Sequence, residues 1–468
     1  MKKALLAILL TAGITLGLTA CGGGNDTPAL TPTPAPAPAP AATPVPGPPP
    51  AADVEEFVPT GVPIPGFDPD NRSVVEIEFW HAMTGAHQDG IDEIIAAFHA
   101  QNPYVRVTNI FQGNYGALRN QIMLNDLAGN LPHLGQATVS DTTLYMVDGM
   151  ILPLNQFMDD PVVGVSQEHM DDIIRGFRAT SVFDGVWYSI PFSKSVRVLY
   201  YNREMFNAAG LNPPTTWEEL FNAAEILTEA NPGITGFHFE GGSFDMEWVA
   251  MLFQQGGTYI DEASNRAVFA SPQGASAMEF IINLVNSPFG GFPPAGTFNS
   301  GIFGQADIAM YIGSSAGLPH VTNAVAGTFD WGTAPIPGGA VEFAGNDLIM
   351  FENTSHSIEE RVAAWELMRF TTEAETSARW AMASGYVPVT YTAAASQLFQ
   401  DFLRDNPRAA AATASLDDGF FRTRNLQGGQ VRTYLLEQFE EIRFGNISIE
   451  DGLERAQANA NAALERGR

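Results

Sequence analysis

From Val74 the chain alternates apolar and acidic side chains, Val-Val-Glu-Ile-Glu-Phe-Trp, the period-two pattern of a half-buried strand. The period then changes. Between Gln88 and Asn102, residues Ile91, Ile94, Ile95 and Phe98 recur at helical spacing, and Asn102-Pro103 predicts the stop. Val105 to Phe111 reads as a second strand, Gly113-Asn114-Tyr115 as a tight turn, and Leu118 to Leu127 as a second helix. Pro132 to Thr138 reads as a third strand, and Asp141 as the cap of a helix running through Tyr145 and Met146. Strand, helix, strand, helix predicts parallel pairing through right-handed crossovers. In such sheets ligands sit at the carboxyl ends of strands, where Tyr115 falls.

The rest of the pattern is organised around Ser189 to Asn202. Pro191 keeps the residue before it out of the helical region, and Val196 to Tyr201 is β-branched, aromatic and apolar apart from Arg197. The small polar cluster Ser193, Lys194, Ser195 therefore stands where the chain enters a buried strand, and the stretch reads as a crossover between two lobes. An acidic helix (Gln167 to Phe177) and a hairpin arm (Asp184 to Ile190) lead into it. A short helix stopped by Gly210 leads out. Further on, Thr216 caps a helix, and further helices lie near Trp248 and over 272–285. Asp307 to Ile312 is a strand ending in a Gly-Ser turn, and Phe343 to Phe351 is another. A helix spans 358–372, Gly385 to Thr390 form a turn and short strand, and helices dominate from Ala393. No internal repeat is present.

Length allows two or three domains. A formal net charge of −29, with 23 lysines and arginines, argues against nucleic acid as a partner and describes a solvated acidic surface. Residues 1–20 have the basic start, apolar run and small residues of a secretory signal. Leu-Thr-Ala-Cys resembles a bacterial lipobox, which makes Cys21, the only cysteine, the expected lipidation point. Residues 21–72 are expected to be a lipidated N-terminus and a Pro/Ala-rich tether with polyproline II character. No later stretch has the ~18 uninterrupted apolar residues of a membrane span. The expected location is the extracytoplasmic face of the membrane, held through the lipid anchor only.

Catalytic constellations are weak. The eight histidines are scattered without metal-ligand spacing, and neither a metal nor a cofactor is expected. Asp245 with Glu247, or Glu342 with Asp347, would suit a glycoside hydrolase only if two carboxylates faced each other across a cleft at ~5–10 Å. Gly313 to Gly317 matches a nucleophile-elbow pattern around Ser315, with Asp347 and His356 downstream. The elbow needs a helix at once, however, and Leu318-Pro319-His320 argues against a long one. The chain reads as a binding protein, not an enzyme. Its candidate ligand groups are Tyr115, Ser195, Ser314, Gly345, Tyr386 and Arg432. Each has an ordinary use in capping backbone or pairing charge. Together, hydroxyls, an approachable glycine amide, an arginine and tyrosine faces suit an anionic or polyhydroxylated solute.

Four stretches carry a family resemblance: Phe79-Trp80-His81-Ala-Met, Gln112-Gly113-Asn114-Tyr115, Pro191-Phe192 with Leu199-Tyr200-Tyr201-Asn202, and Ala381 to Thr390. Together they resemble the family 1 extracellular solute-binding proteins, the capture subunits of carbohydrate ABC importers, and within them the glycerol-3-phosphate-binding members. The likeness runs from about Val74 to Arg468. It implies an α/β, two-lobed periplasmic-binding-protein fold of type II whose hinged lobes close on a ligand in the cleft between them. The expected lobes are 73–188 with 307–352, and 192–303 with 356–468. It also implies that Tyr115, Ser195, Ser314, Gly345, Tyr386 and Arg432 hold a glycerol-3-phosphate-like or carbohydrate solute for delivery to an ABC permease. The family's glutamate falls at Val139 or Ser140, so the phosphate half of the pattern survives better than the glycerol half. Lys194 and Arg197 either serve a phosphate or offset the acidic surface. A neutral oligosaccharide binder, with Trp217, Trp248 or other aromatics lining the cleft, is the alternative.

Overall fold

The computed structural model describes residues 57–417, 419–422 and 427–466, so the signal segment, Cys21 and the tether up to residue 56 lie outside the described residues. Ten strands form one mixed sheet: β1 Val75–His81, β2 Val105–Phe111, β3 Leu134–Ala137, β4 Ile190–Asn202, β5 Thr235–His238, β6 Gly290–Gly291, β7 Ile308–Ser314, β8 Trp331–Pro335, β9 Val341–Met350 and β10 Gly419–Phe420. Their order is β6-β5-β7-β4-β9-β3-β1-β2, with β8 beside β4 and β10 beside β9.

The first half follows the sequence pattern. β1 and β2 pair parallel in one register from Val75–Val105 to His81–Phe111. Helix α1, Ala86–Gln101, buries Ile91, Ile94, Ile95 and Phe98. Helix α2, Tyr115–Ala128, starts one turn earlier than the apolar spacing implies, because the Asn114 side chain accepts the Ala117 N–H. The cap of α3, Val139–Val147, is Thr138 and not Asp141. Thr138 accepts the Asp141 N–H, while the Asp141 carboxylate binds Arg119. The acidic segment forms two short helices, Gln167–Asp172 and Arg175–Ser181, because the Ile174 N–H bonds to the Val389 carbonyl between them.

All thirteen residues of β4 are buried. Its first half pairs antiparallel with β9, and its second half pairs with β7 and β8. The far end of β9 pairs with β3. These two strands therefore cross from the β1–β3 half of the sheet to the β5–β7 half, which is where the sequence placed the crossover.

The expected lobe boundaries need correction. β7 pairs with β4 and β5, so 307–352 does not belong to the first half as a block. Helix α4, Asp245–Gln254, packs beside β9. Helices α5, Ile358–Thr371, and α6, Ala374–Ser384, pack on β1 and α1, so the chain returns to the first half after residue 356. The segment 407–414 then packs on β8, where Arg408 donates to the Trp331 carbonyl, and α7, Gly428–Arg443, and α8, Ile449–Arg466, complete the return to the second half, α8 lying against the helix 272–285. The tether is also shorter than expected. Ile64 is buried, and Asp159 accepts the N–H groups of Thr60, Gly61 and Val62. The segment is anchored again where Arg72 forms a two-point ion pair with Glu366.

Candidate functional site

β3 runs out into Thr138 and the start of α3, and this turn forms one wall of a cleft of about 300 Å³. Ser243 and Met246 at the start of α4, Tyr259, and Gly428, Gly429 and Arg432 at the start of α7 form the other wall. β9 supplies the floor from Glu342 to Gly345, with Phe421 and Arg422 beside it. The cleft thus lies between the two halves at the crossing strand. Thr138, Ser140, Thr143 and Ser243 give it hydroxyls, and Phe343, Phe421 and Tyr259 give it aromatic surface.

Its charges are tied to one another. Arg432 reaches the fully buried Asp245 through Nε (2.9 Å) and Nη2 (2.8 Å), and also donates to the Gly242 carbonyl. Arg422 donates to Asp245 (2.7 Å) and sends Nε (2.9 Å) and Nη2 (2.7 Å) to Oε2 of Glu342. Burial opposes ionisation of Asp245, but the two guanidiniums outweigh it and hold the carboxyl below its usual range. Burial pushes Glu342 up to about 7; Arg422 opposes the rise and Asp245 adds to it. Behind this cluster Arg197 binds Glu247 (2.6 Å) and Glu240 (3.1 Å).

Of the sequence candidates, Gly345 and Arg432 line this cleft. Next to Gly345, the Asn346 side chain donates to the Tyr115 hydroxyl (2.7 Å), which lies 3.5 Å from the hydroxyl of Tyr386. Ser195 pairs across the ladder with Ala344, and the Val387 N–H bonds to the Lys194 carbonyl (2.8 Å), which brings Tyr386 close to Ser195. Ser314 ends β7 opposite Arg197, with its hydroxyl accepting the Ala316 N–H. Five candidates thus gather around the crossing strands and Arg432 reaches the same cleft, although Tyr115, Ser195, Ser314 and Tyr386 do not line it. Val139 and Ser140, where the family glutamate was expected, both line it.

Other readings change. Lys194 is fully buried against Asp347 (2.5 Å) and Arg197 against Glu247 and Glu240, so neither faces a solute or the outer surface. The carboxylate pairs weighed for glycoside hydrolysis are bound by Arg432, Arg422, Arg197 and Lys194. Ser315 is followed by a helix of only eight residues, Leu318–Val325, in keeping with the expectation of no long one, and Pro319 sits in its first turn where no N–H is needed. No triad forms among the described residues: Asp347 binds Lys194, and His356 stacks on His133 at 3.7 Å. Trp248 is buried with its indole N–H on the Gly274 carbonyl, and Trp217 bonds to Gln254; neither lines the cleft. Among the described residues no group of three metal-ligating side chains occurs, and no helix is long and apolar enough to cross a membrane. Sequence reasoning missed Asn346, Arg422 and Tyr259. No motif marks them, although Asn346 does stand beside the singled-out Gly345.

A family model described as bacterial extracellular solute-binding protein matches residues 93–411. The sn-glycerol-3-phosphate-binding periplasmic protein of Escherichia coli strain K12 is 24% identical over 415 residues, covering 84% of this chain and 94% of its own length. The counterpart from Shigella dysenteriae serotype 1 aligns equally, at 24%. Among solved structures, UgpB from Mycobacterium tuberculosis in complex with glycerophosphocholine superposes with a TM-score of 0.73 at 20% identity, covering 84% of this chain and 99% of that one. A cyclic alpha-maltosyl-1,6-maltose binding protein from Arthrobacter globiformis gives 0.71 at 22% identity, covering 84% and 100%. These likenesses establish the two-lobed type II periplasmic binding fold.

Proposed function

Because this chain belongs to the bacterial extracellular solute-binding proteins, we propose that it captures a glycerol-3-phosphate-like or carbohydrate solute in the cleft at its crossing strands and delivers it to an ABC permease. The family is one of extracytoplasmic binding proteins. Attachment to the membrane through a lipid on Cys21 is part of the same reading, supported by the Leu-Thr-Ala-Cys sequence. One observation carries the proposal: Gly345 and Arg432 line one cleft, with the Tyr115–Tyr386 hydroxyl pair bonded to the next residue of the strand. Solute entering between the halves completes its hydrogen-bond shell as the lobes close, and the permease selects the closed form. The lobes of this reading are the β1–β3 half with α1, α5 and α6, and the β5–β7 half with α4, α7 and α8.

Calorimetry of the protein against glycerol 3-phosphate, glycerophosphocholine and maltose tests the solute class, and heat with none of the three would overturn it. For a phosphate-bearing solute, Arg432→Ala is expected to lower affinity about 100-fold, the loss of about 3 kcal/mol from a charged hydrogen bond. Unchanged affinity in a variant of unchanged Tm would remove Arg432 from the site. A neutral carbohydrate is the second reading. It is favoured by the fact that both guanidiniums of the cleft already carry carboxylate partners.

A further inference from the structure

Glu342 is a buried carboxylate in the cleft floor, on the strand that crosses between the halves. We propose that Glu342, set by Arg422 and accompanied by Tyr259, is a specificity-determining residue that accepts hydroxyl hydrogens from a polyhydroxylated solute. The inference rests on the solute-binding reading above and deepens it. It supplies from β9 the acid that the family pattern places after β3, where Val139 and Ser140 stand here.

Three observations carry it. The two bonds from Arg422 to Glu342, from Nε and Nη2, both go to Oε2, and among the described residues Oε1 has no hydrogen-bond partner. Tyr259, 3% exposed, lines the same cleft beside Arg422, whose guanidinium carbon lies 5.4 Å from the ring; a guanidinium can only donate to the buried hydroxyl, so the phenol's own hydrogen has no acceptor among the described residues. A free carboxylate oxygen and an undonated phenol hydrogen are an acceptor and a donor, the pair that a sugar or glycerol hydroxyl, itself both, requires. The third observation is charge. Arg432 and Arg422 are each held by Asp245, and Arg422 by Glu342 as well, so a phosphate dianion has to compete with buried carboxylates for them. A neutral polyol satisfies Oε1 and Tyr259 and leaves every ion pair in place. Hydroxyl recognition is thereby assigned to the floor of the cleft, opposite the neutral Thr138, Ser140 and Thr143.

A carboxylate that merely neutralised Arg422 would leave affinity for a neutral solute insensitive to its protonation. The titratable and charged groups facing Glu342 are Arg422 beside it, Asp245 and Glu247 on α4, Arg432 on α7, and the neutral phenol of Tyr259. Asp245 is held low, burial pushes Tyr259 up to about 12, and Glu247, also raised by burial, is closed off against Arg197 outside the cleft lining. Glu342 is left as the cleft group that titrates near neutrality. Ionised Glu342 is the stronger acceptor, so solute binding favours loss of its proton and affinity rises with pH through about 7.

The test is calorimetry with maltose, glycerol, glycerol 3-phosphate and glycerophosphocholine, from pH 6 to 8.5, on the wild type, Glu342→Gln and Tyr259→Phe. Expected is at least a tenfold loss of affinity for the bound solute in Glu342→Gln at unchanged Tm, and a smaller loss in Tyr259→Phe. The rise with pH should appear in the wild type and vanish in Glu342→Gln. If Glu342→Gln binds as the wild type does, or the wild-type profile is flat, the role of Glu342 is overturned while the solute-binding reading stands. Should Glu342→Gln fail to fold, the wild-type pH profile decides alone, and a flat profile overturns the proposal. A wild type that binds none of the four overturns the solute class, and this inference with it.

Discussion

Gly345→Ala is expected to destabilise the protein by about 3 kcal/mol or more, seen as a clear fall in Tm. Gly345 has φ +109°, a region that side chains other than glycine rarely adopt. A Cβ built there would lie 1.8 Å from the Ser193 carbonyl oxygen and 3.2 Å from the Lys194 Cα. Both are backbone atoms of β4, in a strand buried along its whole length, so neither can rotate away. The added atom has to prise apart the two strands that join the halves, and relief would be felt at the register shift that follows between Asn346 and Asp347. Gly210 provides the contrast. It is also left-handed, but a Cβ there meets nothing within 4 Å, so Gly210→Ala is expected to cost only about 1 kcal/mol. Thermal denaturation of both variants checks the pair. A Gly345→Ala protein that melts within a degree or two of wild type would mean that β4 and β9 do not approach this closely. Because Gly345 lines the cleft, its glycine also keeps that part of the floor free of a side chain.

Local rules were enough for β1, α1 and β2, where the switch from period two to period 3.6 is carried by Ile77 and Phe79 and then by Ile91 to Phe98. They were less sure at helix starts. Asn114 and Thr138 act as caps ahead of the apolar spacing, because a cap is defined by a backbone N–H further along and not by the hydrophobic stripe. The polar approach to β4 is a different matter. Ser193, Lys194 and Ser195 read as the polar entry to a buried strand, but they are themselves buried because β9 lies beside them and brings Asp347 to the lysine. That pairing is not local, and no window along the chain contains both partners. The lobe boundaries failed for the same reason, since β7 inserts beside β4 instead of extending the first half. Within the site, Tyr115, Gly345 and Tyr386 were legible as polar groups at turns. Their meeting depends on Asn346, whose amide forms the link. Arg422 and Glu342 belong to no motif, and only the packing of β10 against β9 puts them together.

Asp347→Ala is expected to lower stability by about 3–5 kcal/mol, because it strands an ammonium in the core. Lys194 and Asp347 are fully buried, 2.5 Å apart, on the two crossing strands. Ser189 (2.9 Å) and Ser181 (3.4 Å) also donate to the carboxylate, while the lysine has Thr180 (3.4 Å) and the face of Phe421 (5.1 Å) as its other neighbours. A hydroxyl and an aromatic face cannot replace the counter-charge in a site closed to water. The double variant Lys194→Met with Asp347→Leu removes both charges at similar volume and is expected to recover most of the loss, since the attraction of a buried pair does little more than offset its desolvation. Urea denaturation of Asp347→Ala, of the single variants Lys194→Met and Asp347→Leu, and of the double variant closes the cycle. A single variant within about 1 kcal/mol of wild type would show that water reaches this pair. A double variant as weak as Asp347→Ala would instead mean that the serine hydroxyls, left without their acceptor, carry most of the cost. If the double variant recovers stability but its lobes no longer close around solute, the pair is retained to fix how β4 and β9 cross. Asp347 is next to Asn346, so a shift in that crossing would be passed directly to the Tyr115–Tyr386 pair.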